Sequence, residues 1–66
     1  MTTKDVRKAG RLSAEKDGVT YTIMRSVAHR RWSGWQSDRG WVGSFSSLNA
    51  AVAWIERNTG RHFAEV

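Results

Sequence analysis

The 66-residue chain has no cysteine and no proline. Without cysteine there is no disulfide framework and no thiolate metal site. Its two histidines, His29 and His62, fall short of the four ligands a structural zinc site usually takes, and no cofactor is expected. With no proline, no linker-like stretch and no internal repeat, nothing divides the chain, and one domain is expected. No apolar run approaches the roughly 18 residues of a membrane-spanning helix, and no signal-peptide pattern opens the chain. A cytoplasmic or nucleoid-associated location is therefore expected, not a secreted or membrane one. Size excludes more. A domain of about 60 residues buries only about 60% of the surface its unfolded chain exposes. Catalytic pockets of several hundred Å3 are hard to build in so small a body. The expectation is a binding role, not an enzyme, with no small-molecule substrate.

What is present is charge and tryptophan. Eleven Lys+Arg stand against six Asp+Glu, for a net charge of +5, and there are four tryptophans. The charge is uneven. Residues 1–18 carry five bases (Lys4, Arg7, Lys8, Arg11, Lys16) against Asp5, Glu15 and Asp17. Residues 19–45 carry four arginines (Arg25, Arg30, Arg31, Arg39) against Asp38 alone. Residues 46–66 are balanced, with Arg57 and Arg61 against Glu56 and Glu65. Trp32, Trp35 and Trp41 fall in the middle, most basic block. Positive charge and flat aromatics in one segment suit a polyanion with stacked bases. The plainer account is that the charge keeps a small protein soluble.

Along the chain, strands precede a helix. Residues 1–9 are polar without a sustained period and are expected to form a flexible basic arm, at best a frayed helix. Glu15-Lys16-Asp17-Gly18 has the look of a type I turn closing on glycine. The β-branched and aromatic run from Val19 to Val27 is the best strand candidate. Leu12-Ser13-Ala14 is a candidate edge strand beside it. Ala28-His29-Arg30 reads as a connection, Arg31 to Gln36 as a further strand, and Ser37-Asp38-Arg39-Gly40 as a second turn. Trp41 to Phe45 is the last strand, with Gly43 as its bulge or close-approach point. Leu48, Ala51, Val52 and Ile55 then recur at i, i+3, i+4 and i+7, one face of a helix. Ser46 or Ser47 is its cap, and Gly60 its left-handed stop. The expected fold is α+β: a three- or four-stranded antiparallel sheet over residues 10–60, packed on one C-terminal helix. Residues 61–66 are expected to be a short tail.

One helix with one apolar stripe covers one sheet face. The other face stays in water unless a partner covers it, so large aromatics there need a reason. Phe45 and Val42 are expected under the helix, which sends Trp41 to the open face. Trp32 and Trp35 are three apart, so one belongs to the core. Trp54 falls at the margin of the helical stripe, and Met24 reads as a core filler.

The run Trp41-Val42-Gly43-Ser44-Phe45-Ser46-Ser47-Leu48-Asn49-Ala50-Ala51-Val52-Ala53-Trp54 resembles the last strand and helix start of the AP2/ERF DNA-binding domain. It is also similar to the DNA-binding amino-terminal domains of phage integrases. The resemblance covers about residues 19–57 and is concentrated over 41–54. Where the AP2/ERF first strand is arginine-rich, this chain has Tyr-Thr-Ile-Met-Arg-Ser. The resemblance implies a sheet whose face opposite the helix enters the major groove of duplex DNA. It makes Trp41 a DNA-facing tryptophan and puts Arg25, Arg30, Arg31 and Trp32 where such contacts cluster.

In the mechanism this suggests, arginines neutralise phosphates and release counterions. Arg25 or Arg31 reaches guanine O6 and N7. Trp41, with Trp32 or Trp35, packs on sugar and base edges, and Arg39 extends the basic surface. Lys4, Arg7 and Lys8 on the arm track the adjacent backbone or minor groove. A single-strand or RNA reader ranks lower, because no RNP-like aromatic pattern is present. Ser44, Ser46 and Ser47 with His29 read as capping and turn residues, not as a nucleophile and base. The rival class is a phage or mobile-element module that docks on a host protein through a Trp/Arg surface. The discriminating feature is placement. A DNA reader needs Arg25, Arg31 and Arg39 on one face with Trp41, whereas a protein docker needs a tryptophan patch with arginines at its rim.

Overall fold

The computed structural model describes residues 3–26 and 30–63. Its elements run α1 (Thr3–Ala9), β1 (Arg11–Lys16), β2 (Val19–Ser26), β3 (Arg31–Gln36), β4 (Gly40–Phe45) and α2 (Leu48–Thr59). The four strands form one antiparallel sheet in the order β1-β2-β3-β4. Helix α2 packs against one face of that sheet, so the fold is α+β as expected. No helix among the described residues is long and apolar enough to cross a membrane.

Strand alternation builds the core. In β1, Leu12 and Ala14 turn inward while Arg11, Ser13 and Glu15 face solvent, the period-2 pattern of a half-covered strand. The register places Leu12 opposite Ile23 and Ile23 opposite Gly34. Ile23, Leu12, Ala14 and Trp32 meet Leu48, Ala51, Val52 and Ile55 of α2 in one buried cluster. Those helical residues are the stripe read from the sequence. Trp54 lies at its edge, half-buried, with its ring 5.6 Å from both Tyr21 and Phe45.

The helix ends are capped as the sequence suggests. The Ala50 N–H donates to Ser47 Oγ at 3.2 Å. Gly60 has φ of 72° and donates its N–H to the Glu56 carbonyl at 2.8 Å. This left-handed position is one that glycine takes at little cost.

The first turn differs from expectation. Asp17 and Gly18 both have positive φ, 54° and 80°, and Lys16 pairs with Val19. A two-residue loop with both φ values positive is the type I′ hairpin, whose twist matches that of the strands it joins. The expected type I geometry would splay them. The second hairpin closes with the Arg39 N–H on the Gln36 carbonyl, 3.2 Å, followed by Gly40 at φ 79°.

Near both ends the described residues are held more closely than a flexible arm and a free tail would be. The segment expected as a flexible arm or at best a frayed helix is, over Thr3–Ala9, a helix, and its valine, Val6, is fully buried against the core. Gly10 closes it, donating to the Val6 carbonyl at 2.8 Å. Asp5 in the first turn and Arg7 and Lys8 in the last suit the helix dipole. Val6→Ala is expected to lower stability by about 1.5 kcal/mol, from the apolar carbons taken out of the core. Urea unfolding checks this, since an undocked arm would leave the transition unchanged. The tail also folds back in part. The Phe63 N–H donates to Glu56 Oε2 at 2.9 Å, and its ring packs on the core. Residues 64–66 lie outside the described set.

Candidate nucleic-acid interface

The sheet face opposite α2 carries the chain's exposed aromatics. Register gives its rows. Ser13, Thr22, Trp35 and Trp41 lie side by side across all four strands, and Arg11, Met24, Ser33 and Ser44 form the next row. Beyond them Ser26 pairs with Arg31. Trp35 is 41% and Trp41 57% exposed. Two indoles thus stand opposite one another on a surface that neither helix covers.

Trp41 reaches this face because of an irregularity. Counted back from the half-buried Phe45, an unbroken strand would place residues 43 and 41 on the helix side. The register instead shifts between Gly34 and Trp35: Gly34 pairs with Gly43 but Trp35 with Trp41. Val42 is the extra residue of a bulge, and one inserted residue reverses the facing of what precedes it. Val42 is therefore exposed, not packed under the helix as expected. Gly43 lies beside the bulge, and the close approach expected there belongs to Gly34.

The open face is basic at its edges. Arg11 shares it, and Arg31 extends across β3 and β4 to donate an Nη1 hydrogen to Ser44 Oγ at 3.5 Å. That bond orients the guanidinium along the sheet and leaves its other donors for a ligand. Arg39 is exposed at the β3–β4 hairpin. The hydroxyls of Ser13 and Thr22 are 2.9 Å apart, so the row leading to the tryptophans is polar.

Several expected site residues are elsewhere. Trp32 is buried at 7% and belongs to the core, so it is Trp35 of the pair that is free to make contacts. Arg25 pairs in register with Trp32 and so lies on the helix side, where its Nη1 donates to the Arg7 carbonyl at 3.2 Å. It does not share a face with Trp41. Met24, expected in the core, is exposed on the open face. Arg30 is exposed in the β2–β3 connection with φ of 53°. Arg7 and Lys8 are exposed on α1, and Lys4 belongs to the same helix, its side chain outside the described set. Val27, Ala28 and His29 also lie outside it. Arg11 was absent from the expected contacts, although its odd-numbered place beside Leu12 already put it on the outer face.

Beyond the sheet face there is a solvent-open hollow of about 360 Å3, lined by Arg25, Ser26, Arg30 and Trp32. A second, of about 480 Å3, is lined by Leu12, Ser13, Arg61, His62 and Phe63. No family model matches the chain, and no curated protein or solved structure matches it either.

Proposed function

We infer that the protein binds duplex DNA through the open face of its sheet. The observation that carries this reading is the Trp35–Trp41 pair, exposed on the face away from α2, with Arg11 and Arg31 on the same face. The net charge of +5 supplies the attraction to phosphate. In this reading Arg31 and Arg39 neutralise backbone phosphates, and the two indoles pack on sugars and base edges. The order β2-β3-β4-α2 supports it further, being the three strands and a helix that the AP2/ERF and integrase resemblance implies. The resemblance's assignment of Arg25 to base contact is dropped, because that side chain is on the other face. The mechanism needs no catalytic group.

The test is duplex and single-strand mobility shift at two salt concentrations. Trp41→Ala is expected to weaken duplex binding about tenfold, as loss of an aromatic anchor does. Its thermal midpoint should hold, because exposed substitutions usually change stability by about 0.5 kcal/mol or less. Arg31→Ala should reduce the slope of log affinity against log salt by about one. Absence of binding by the wild-type protein at about 50 mM salt would overturn the reading, since the nonspecific phosphate term alone should show there.

One observation favours a second reading. Met24 and Val42 are also exposed, and Arg25 is off the open face, so the arrangement comes near a tryptophan patch with arginines at its rim. Such patches anchor protein partners. A protein docker would show Trp41-dependent capture of one stoichiometric protein and no salt-sensitive affinity for DNA.

A further inference from the structure

We propose that the free edge of β4 receives an extended acidic segment of another protein as a fifth strand, with a carboxylate of that segment set against Arg31. β4 is a terminal strand, paired with β3 and with no other strand among the described residues. Every second residue of such a strand turns its N–H and C=O away from the sheet, a template for another chain. The backbone of β4 carries this docking, not the indoles, and no nucleic acid is needed. It therefore stands or falls apart from the duplex reading, although the two share Arg31.

The two edges of the sheet differ. β1, the other terminal strand, carries Arg11, Glu15 and Lys16, and charged side chains guard an edge against pairing. Helix α1 packs against it, and Arg61, His62 and Phe63 share a hollow with its Leu12 and Ser13. β4 has no charged residue and no proline. Its Gly40, Trp41, Val42 and Ser44 are exposed. The bulge at Val42 bends this edge and interrupts an even ladder. An extended peptide can follow that bend, whereas the β4 of a second copy is itself bent.

Charge selects the occupant. Arg31 reaches from β3 to donate an Nη1 hydrogen to Ser44 Oγ at 3.5 Å, which sets its guanidinium over β4 on the open face. A fifth strand would run about 4.8 Å from β4. Its residue opposite Ser44 shares that face and comes within reach of the guanidinium. A carboxylate there makes a charge-assisted pair in place of a long bond to a neutral hydroxyl. A second copy of this chain offers no carboxylate from β4, and it brings another Arg31 and another net charge of +5. Asp38, in the hairpin before β4, accepts from Gln36 Nε2 at 3.2 Å and lies at the end of the strand away from Ser44.

The probe is a blocked nine-residue peptide of alternating threonine and valine, with glutamate in place of the central threonines, added to the full chain. Amide NMR should show saturable shifts and slowed hydrogen exchange over residues 41–44, with β1 silent. A version with lysine at the glutamate positions should bind about fivefold more weakly. Arg31→Ala should abolish that difference at an unchanged thermal midpoint, since the side chain is exposed. The glutamate peptide with alternate backbone amides methylated should not bind, because it loses the ladder donors. Equal affinity for the glutamate and lysine versions would overturn the proposal, and so would undiminished binding of the methylated peptide. Shifts at the Trp35 and Trp41 indoles with the β4 amides unprotected would move the peptide to the tryptophan face and reject the edge. Protection of β4 amides that rises with protein concentration, without peptide, would make a second copy the occupant and reject the acidic segment. Peptide binding by a protein that ignores duplex DNA leaves the edge standing alone. Duplex binding without peptide binding does the reverse.

Discussion

Ile23→Ala is expected to destabilise the protein by about 3 kcal/mol, the cost of removing a buried branched side chain and leaving a cavity behind. Ile23 is fully buried and sits at the middle of β2. Leu12 flanks it on one side and Gly34 on the other. The fully buried Ile55 belongs to the helix that covers this face. With a glycine for one neighbour, the site has few side chains able to move into the space. A chain of this size holds about 3–10 kcal/mol in total, so the loss consumes a large share of it. Urea unfolding followed by tryptophan fluorescence should show a lower midpoint with an unchanged slope. Met24→Ala, one residue along the same strand but on the open face, should cost less than about 1 kcal/mol. Equal losses at the two positions would contradict the facing assigned to β2.

That neighbouring pair also shows what was legible in the sequence. Once Ile23 is placed in the core, strand alternation sends Met24 outward and brings Arg25 back to the helix side. The Met24 expectation followed residue type, and the Arg25 expectation followed a family resemblance. Simple alternation contradicted both. The α2 stripe, its two caps and β3 were readable because each rests on local chemistry: a 3.6-residue period, a serine before it, a glycine after it. Helix α1 was not, because a single valine carries its docking, and Val6 and Ala9 alone make no sustained period. The Asp5, Arg7 and Lys8 placement was the only local hint.

The candidate site was legible in part for a related reason. One helix covering one face correctly implied an open face bearing aromatics, and the three-residue spacing of Trp32 and Trp35 implied that one of them is core. Which one depends on β2–β3 register, which no local pattern states. Trp41 was expected on the open face from the premise that Val42 packs under the helix. It lies there because Val42 is a bulge residue, and a bulge is a property of two strands together. Glycine marks such places in a sequence without saying whether it serves the bulge or the close approach. Here Gly43 and Gly34, paired across β3 and β4, divide those tasks.

Gly34→Val is accordingly expected to cost about 2–3 kcal/mol, by overpacking. A Cβ at Gly34 would lie 2.9 Å from Phe45 Cε2 and 3.3 Å from Trp54 Cζ3. Both atoms belong to rings packed on the core, and Trp54 is held between Phe45 and Tyr21 by ring contacts to each, so a shift of either ring is resisted by its neighbours. The backbone at Gly34 is outside the left-handed region, so lack of space, not conformational strain, produces the loss. Two comparisons isolate that cause. Gly43→Ala, on the paired residue, meets nothing within 4 Å, and is expected to be neutral or to stabilise by up to about 1 kcal/mol through the unfolded chain. Phe45→Leu shortens the ring that stands closest. In a double-mutant cycle with Gly34→Ala it should recover about 0.5–2 kcal/mol of the combined loss, because the two changes share one space. Additive losses would mean that the rings do not fill the room left by Gly34. The α2 side of the sheet would then not depend on the close approach at Gly34, across from the bulge that turns Trp41 to the open face.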